Sequence, residues 1–293
     1  MVDLDTRELE YFVAVAEELH FGRAATRLAI AQPALSKAIR RVESRLGVQL
    51  LLRTSRQVSL TPAGEALLHH GRHALNAVAA AAQAARRAGE AESEPQLRLV
   101  IKPGGDGNLL SAILAEYGRT PDARRVDVIF GGATDRADRV RDGRADLALL
   151  YAPFDDLTGL DHETLHVERR VAVLPPDHPL AARGELHLAD LAGETLPRWK
   201  GVPGTDDSGR GPVVADVPQL LQLVILRRLV AVLPDSLLQP RHPDLAYRPV
   251  IDAPPSRLVL AWSQNDRRPL LAAFVDAAVA AAAASVGADV PVG

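Results

Sequence analysis

The chain has 293 residues, 47% of them hydrophobic, which is enough for about two ordinary domains with real cores. Cysteine is absent, which excludes disulfides, thiolate metal sites and cysteine nucleophiles, and there is no basic-then-apolar leader or apolar run near the roughly 20 residues of a membrane span, so a cytoplasmic protein is expected. The formal net charge is -3, yet between His20 and Leu60 eight basic residues (Arg23, Arg27, Lys37, Arg40, Arg41, Arg45, Arg53, Arg56) stand against one acid, Glu43, a local +7 (8 minus 1) on a body that sums to -10.

A compact basic segment on an acidic body is the pattern of a nucleic-acid-binding module. Asp5 and Glu8 have capping-box spacing, so a first helix begins at Asp5, with Leu9, Phe12, Val13 and Ala16 as its apolar stripe. A short second helix runs from about Gly22 to Leu28. A third starts around Gln32, where Pro33 suits a first-turn position, and Leu35, Ile39, Val42 and Leu46 cluster within about 60° of arc. The opposite arc holds Pro33, Lys37, Arg40 and Ser44, flanked by Ser36 and Arg41.

Three short helices with a basic outer face on the third are the parts of a helix-turn-helix, whose last helix enters the major groove by its N-terminal end. The candidate DNA contacts there are Arg23, Gln32, Pro33, Ser36, Lys37 and Arg40. Gly47 ends the helix, and Gln49 to Leu60 reads as two short strands around the polar turn Thr54 to Gln57, a wing carrying Arg53 and Arg56 beside a phosphate or in a narrow minor groove. Replacing Arg53 by alanine is expected to weaken operator binding by about 1 to 3 kcal/mol without unfolding the protein. A solvated helix face beside an ordinary hairpin is the bland alternative. The proline start, the glycine stop, the basic wing and the near absence of acids weigh against it together.

Leu9 to Glu17 (LEYFVAVAE) and HFGRAATRLAIAQPALSKAIRRVESRLGVQLLLRTSRQVSLTPAG from His20 to Gly64 resemble the N-terminal winged helix-turn-helix of the LysR-type transcriptional regulators. The Gln32-Pro33-Ala34-Leu35-Ser36 run, the Glu43-x-x-Leu46-Gly47 helix end and the Leu60-Thr61-x-x-Gly64 junction all fall at family spacing. The resemblance implies a homodimer or homotetramer that binds double-stranded promoter DNA through paired winged helices, answers to a small-molecule effector in its C-terminal domain and has RNA polymerase as a further partner, with no cofactor and no membrane. Two positions depart from the pattern. Ala31 replaces the family's usual capping hydroxyl, removing a bond of about 1 kcal/mol, and Leu52 stands for the aromatic before the wing arginine.

Thr61-Pro62 starts a helix that runs to about Ala88 with Gly71 as its one breaker. Leu67, Ala74, Ala81 and Ala88 repeat at sevens, with Leu75, Val78 and Ala85 beside them, so two such helices could pair along a small-residue seam, the family's linker helix by resemblance. His69 and His73 stand four apart with no third ligand near, and read as helix surface. The polar stretch Gly89 to Gln96 reads as a hinge.

Strands at Leu97 to Ile101, Val126 to Phe130 and Ala145 to Tyr151 alternate with helices at Asn108 to Gly118 and Ala133 to Val140, indicating a parallel α/β sheet. A second set follows, with strands at Arg170 to Leu174, Leu229 to Leu233 and Ser256 to Trp262 and a helix at Val217 to Arg227, before a last helix from Arg268 to Ser285 returns to the first lobe. The expected fold is thus an N-terminal all-α winged helix-turn-helix with a linker helix, followed by a C-terminal α/β two-lobed effector domain that resembles the periplasmic-binding-protein-like domain of the same family. Its segments are 1–60, 61–88, a hinge at 89–96, and 97–293, with lobe I at 97–165 and 265–293 and lobe II at 166–264.

Ligands gather at the C-terminal ends of strands in open α/β sheets, which points to the loop Lys102 to Asn108. Lys102, Gly104, Gly105, Asp106 and Asn108 are candidate effector contacts there, the glycines offering backbone amides to an anion at a helix start, with Thr134 and Trp199 beside the mobile-looking Gly201 to Gly211 stretch as further candidates. No catalytic or metal site is expected, since the chain has no cysteine, GxSxG or HExxH. The rival reading is a cytoplasmic solute-binding protein without DNA activity, against which the basic N-terminal segment stands.

Overall fold

The computed structural model describes residues 4–53, 58–89, 96–132, 135–199 and 211–288. The wing turn Thr54 to Gln57 with Arg56, most of the hinge (90–95), Thr134 and the loop residues 201–210 lie outside them. The chain divides into two compact units, Met1–Gly89 and Glu90–Gly293.

The first unit contains α1 (Thr6–Glu18), α2 (Phe21–Arg27), α3 (Gln32–Leu46), the antiparallel pair β1 (Leu51–Arg53) and β2 (Val58–Leu60), and α4 (Pro62–Gly89). The Asp5 carboxylate accepts from the Glu8 amide at 2.8 Å and the Glu8 carboxylate accepts back from the Asp5 amide at 3.4 Å, the reciprocal cap expected of that spacing. His20 caps α2, its Nδ1 accepting from the Gly22 and Arg23 amides at 3.1 and 3.2 Å. At the start of α3, Ala31 makes no side-chain cap and proline occupies the first turn, while Gly47 closes the helix at φ +67°, a conformation that favours glycine.

Phe12, Val13 and Ala16 of α1 bury themselves against Ala24 and Ala25 of α2, Leu35, Ile39 and Val42 of α3, and Leu50 and Leu51 at the wing's root. Leu46 does not continue that stripe: it is 42% exposed, so the buried face closes at Val42, a turn before the glycine stop. Gly71 is a packing position and does not break α4, since a Cβ there would stand 2.8 Å from Cδ1 of Leu9 on α1. Gly64 has an equivalent reason, its missing Cβ leaving room for the Leu50 carbonyl, while its amide donates to Thr61 Oγ1 at 3.0 Å.

The second unit runs β3 (Leu97–Ile101), α5 (Leu110–Tyr117), β4 (Val126–Phe130), α6 (Arg136–Arg141), β5 (Leu147–Ala152), β6 (Leu160–Glu168), β7 (Arg170–Leu174), β8 (Arg198–Trp199), β9 (Val213–Val214), α7 (Val217–Ile225), β10 (Ala231–Pro234), β11 (Ala246–Pro249), β12 (Ser256–Ser263) and α8 (Pro269–Ala288). Its larger sheet has the order β4-β3-β5-β12-β6. Leu97, Leu99 and Ile101 alternate with Val100 in β3, so the first three meet Ile113, Tyr117 and Phe274 of α5 and α8 while Val100 meets Ala137 and Val140 of α6. The smaller sheet, β10-β7-β11, carries α7 on one face, where Val171 and Val173 meet Leu220 and Val224.

Three expectations are corrected. The sheets are not simply parallel: β3 pairs in parallel with β4 and β5, but β12 runs antiparallel to β5 and β6, and every pairing of the smaller sheet is antiparallel. The strand at Ser256 belongs to the first lobe and not the second: it hydrogen-bonds between β5 and β6, and its four consecutive buried residues, Leu258 to Ala261, are covered on one face by α8 and on the other by α6. Finally, α5 starts at Leu110 because Asn108 sits at φ +60°, and α7 stops at Ile225 because Arg227 sits at φ +57°, both outside helical geometry.

Candidate nucleic-acid interface and effector cleft

The described cations of the basic segment His20 to Leu60 fall into two groups. Arg23 pairs with Glu18 at 3.1 Å, Arg27 with Glu17 at 2.7 Å, Arg45 with Glu8, and Arg53 with Glu43 at 2.9 Å. These four hold the helices and wing to one another. Lys37, Arg40 and Arg41 are exposed and, among the described residues, have no acidic partner; Arg40 reaches only the Ser36 hydroxyl, at 3.3 Å. Spaced i, i+3, i+4, they share one face of α3, with Pro33 on the same face and Gln32 exposed at its first turn.

Arg53 is less free than its place on a wing suggests. Its Nη2 donates to Glu43, its Nη1 lies 3.4 Å from Ser36 Oγ, and its guanidinium stacks 4.7 Å from the Phe21 ring centroid. The other oxygen of Glu43 accepts from the Leu50 and Leu51 amides at 3.0 and 3.1 Å. The one acid of the basic segment is therefore a clamp between α3 and β1, and Arg53 is part of it.

On α4, Leu67 and Leu75 pack against the core under α1, while Ala74, Val78, Ala81 and Ala85 are exposed. Their spacing of 4, 3 and 4 is the period of a helix-pairing seam. The rings of His69 and His73 meet edge to face, 4.9 Å between centroids, and among the described residues no group of three or more His, Asp or Glu is placed to hold a metal.

In the second unit a cleft of about 530 Å³ including its mouth opens between the two sheets, lined by Lys102, Arg136, Tyr151, Phe154, Asp155, Trp199, Leu233, Pro234 and Leu237. Lys102 and Trp199, both expected at an effector site, meet there, with Nζ 5.4 Å from the indole centroid. Burial first, and then the Arg136 charge, lower the Lys102 ammonium to about 8 against the opposing pull of Asp155 and Asp216. Gly104, Gly105, Asp106 and Asn108 do not line this cleft. The Asp106 carboxylate lies 3.4 Å from the Leu110 amide, so the helix start offered to an anion already faces a carboxylate of its own chain, and Asn108 borders a separate depression with Gly107 and His166.

Residue-by-residue reading overlooked Arg136, Tyr151, Phe154 and Asp155. Tyr151 sits at the C-terminal end of β5 and Phe154 and Asp155 just after it, so the strand-end rule applied to the first strand would have found them on the third. Arg136 is buried, its side chain 4% exposed, and its Nη2 donates to both Asp155 oxygens at 2.8 and 2.9 Å. Tyr151 bridges the two sheets: its hydroxyl lies 2.9 Å from Ser236 Oγ, which donates to Glu168 at 2.8 Å. Burial, reinforced by the Glu168 charge, raises the Tyr151 phenol above its ordinary value, so it stays protonated and able to donate.

Family comparison agrees with both units. Residues 6–65 match the bacterial regulatory helix-turn-helix proteins of the lysR family, and residues 90–283 match the LysR substrate binding domain. The Hca operon transcriptional activator HcaR of Escherichia coli is 31% identical over 288 residues, covering 93% of this chain and 96% of that protein. The regulator AlsR of Bacillus subtilis is 36% identical over 200 residues, a match that spans 66% of this chain and 63% of AlsR. Among solved structures, a C206 mutant of Corynebacterium glutamicum OxyR is 27% identical with a TM-score of 0.53, covering 97% of this chain and 96% of that one. With a basic reading helix on one unit and a lined cleft in the other, the chain belongs to the LysR family of transcriptional regulators.

Proposed function

We propose that the protein is a cytoplasmic regulator that binds promoter DNA as a homodimer or homotetramer and changes that binding, and its contact with RNA polymerase, when a small molecule enters the cleft of the second unit. It acts by binding and not by catalysis. The observation that carries this reading is the selective pairing of charge: four cations of the basic segment are engaged internally, while Lys37, Arg40 and Arg41 stand open on one face of α3. That face lies against the phosphates and base edges of a major groove, with Gln32, Pro33 and Ser36 at its leading end. Arg23 and Arg53 border it from their ion pairs, and Arg56, outside the described residues, is a further contact by its place in the sequence. A seam of Ala74, Val78, Ala81 and Ala85 pairs two heads and thereby sets the distance between half-sites.

Nuclease footprinting over the DNA flanking the protein's own coding sequence tests this. The expected result is protection of two symmetric half-sites on one face of the duplex, displaced by a cell metabolite fraction. Uniform protection without preferred positions would contradict sequence-specific reading.

A further inference from the structure

Two cations line one cleft of the second unit, and neither is fully answered. The Lys102 ammonium faces the Trp199 ring and, among the described residues, has no acid within ion-pair distance. Arg136 has only its Nη2 satisfied, by Asp155; Nε and Nη1 have no hydrogen-bond partner among the described residues. A buried donor left unpaired is unfavourable, more so when charged, so this guanidinium calls for a further acceptor. Asp155 is already committed, accepting from Arg136 and from the Tyr151 amide at 2.7 Å.

The two cations also oppose one another. After burial, the Arg136 charge is the main cause that lowers the Lys102 ammonium to about 8. At neutral pH a lysine so placed holds about a hundredfold more free amine than a solvated one. A free amine adds to carbon dioxide: the nitrogen lone pair forms the N–C bond, one C=O electron pair moves onto oxygen, and the nitrogen releases a proton to water. The product is a carbamate with one negative charge, and nothing is oxidised or reduced. Repulsion between the neighbouring cations then becomes attraction, and the cleft gains two acceptor oxygens where guanidinium donors are unmet. The charged lining, Lys102 and Arg136 against Asp155, passes from +1 (2 minus 1) to -1 (1 minus 2).

We infer that Lys102 is a site of reversible carbamylation by carbon dioxide, its carbamate held against the Arg136 guanidinium. This is a modification of the chain itself and not an occupant of the cleft, and it stands independently of the regulatory reading. Its consequence is a cleft whose sign of charge follows the carbon dioxide level.

The chain has only three lysines, Lys37, Lys102 and Lys200, so the site can be assigned by mass. The purified full chain is equilibrated with isotopically labelled bicarbonate at mildly alkaline pH, trapped by O-ethylation with a trialkyloxonium salt, digested and mapped. Labelled ethyl carbamate is expected on Lys102 at about tenfold or more the yield on Lys37, which is exposed on α3. Arg136→Gln with Asp155→Asn, which takes out both members of the buried pair, should lower the Lys102 yield by about tenfold and leave Lys37 unchanged. In the untrapped protein, Lys102→Arg should remove the labelled carbamate resonance from the carbon magnetic resonance spectrum. Label confined to the N-terminal amine or to Lys37, a Lys102 yield no higher than that of Lys37, or a yield the double variant leaves unchanged would overturn the inference. Should the double variant fail to fold, the ratio of Lys102 to Lys37 in the wild type decides.

Discussion

Glu43 takes part in three hydrogen bonds, accepting from two backbone amides at the root of the wing and from the Arg53 guanidinium. A half-buried carboxylate so engaged ties the end of the reading helix to the strand that follows it, and charge-assisted bonds of this kind contribute about 1.5–3 kcal/mol each. Arg53→Ala therefore has two consequences, not the single loss of affinity that the sequence suggests. Operator binding weakens, and urea unfolding of the first unit shifts by about 1–3 kcal/mol, since the Phe21 stack is lost with the ion pair. An alanine variant that unfolds at the wild-type midpoint would contradict the clamp. The sequence shows an arginine on a wing; it does not show that the only acid between His20 and Leu60 is folded back against it. That contact depends on α3 and β1 being held side by side, which no local pattern encodes.

At the scale of elements, periodicity was the most legible signal. The proline start, the stripe Leu35, Ile39, Val42 and the glycine stop predict α3 with its observed bounds, and the capping pair Asp5 and Glu8 predicts where α1 starts, because both depend on spacing along one helix. Legibility faded where an element's role is set by distant partners. Strand β6, Leu160–Glu168, is illegible in the sequence because its buried positions, Leu160, Leu165 and Glu168, do not alternate and one of them is an acid, and nothing in the residues of β12 says which sheet it joins. Helix α4 shows both sides. Its seven-residue repeat is plain, yet Leu67 of that repeat and Leu75 beside it face the protein's own core, leaving Ala74, Val78, Ala81 and Ala85 to face outward. Val78, 53% exposed, is the largest side chain on that face. In the proposed homo-oligomer, Val78→Glu should give monomers, read as a lower mass than the wild type by light scattering, with an unchanged helical circular dichroism signal. Retention of the oligomer would move the pairing surface elsewhere.

For the whole molecule, two chemistries are separated on two units. The basic segment was visible as a local +7 on a chain of net charge -3, and its reading as a DNA-binding head needed only that contrast and the helix spacing. The cleft was half visible: Lys102 and Trp199 are about a hundred residues apart and meet only because two sheets face each other across it, while Arg136 drew no notice among many arginines. The bridge from Tyr151 through Ser236 to Glu168 joins those sheets at the cleft's edge, so an occupant there competes with or reinforces a link between lobes. Such a link is what a ligand must bias for binding in one unit to be felt beyond it.

The central claim is that the open cations of α3 lie on phosphate, and the salt dependence of DNA binding measures it most directly. Each phosphate neutralised on duplex DNA steepens the plot of log affinity against log salt by about 0.9. For Lys37→Ala combined with Arg40→Ala and Arg41→Ala, the slope should be shallower than that of the wild type by about 3 per head. A triple variant that keeps the wild-type slope would show that the protein meets DNA with some other surface.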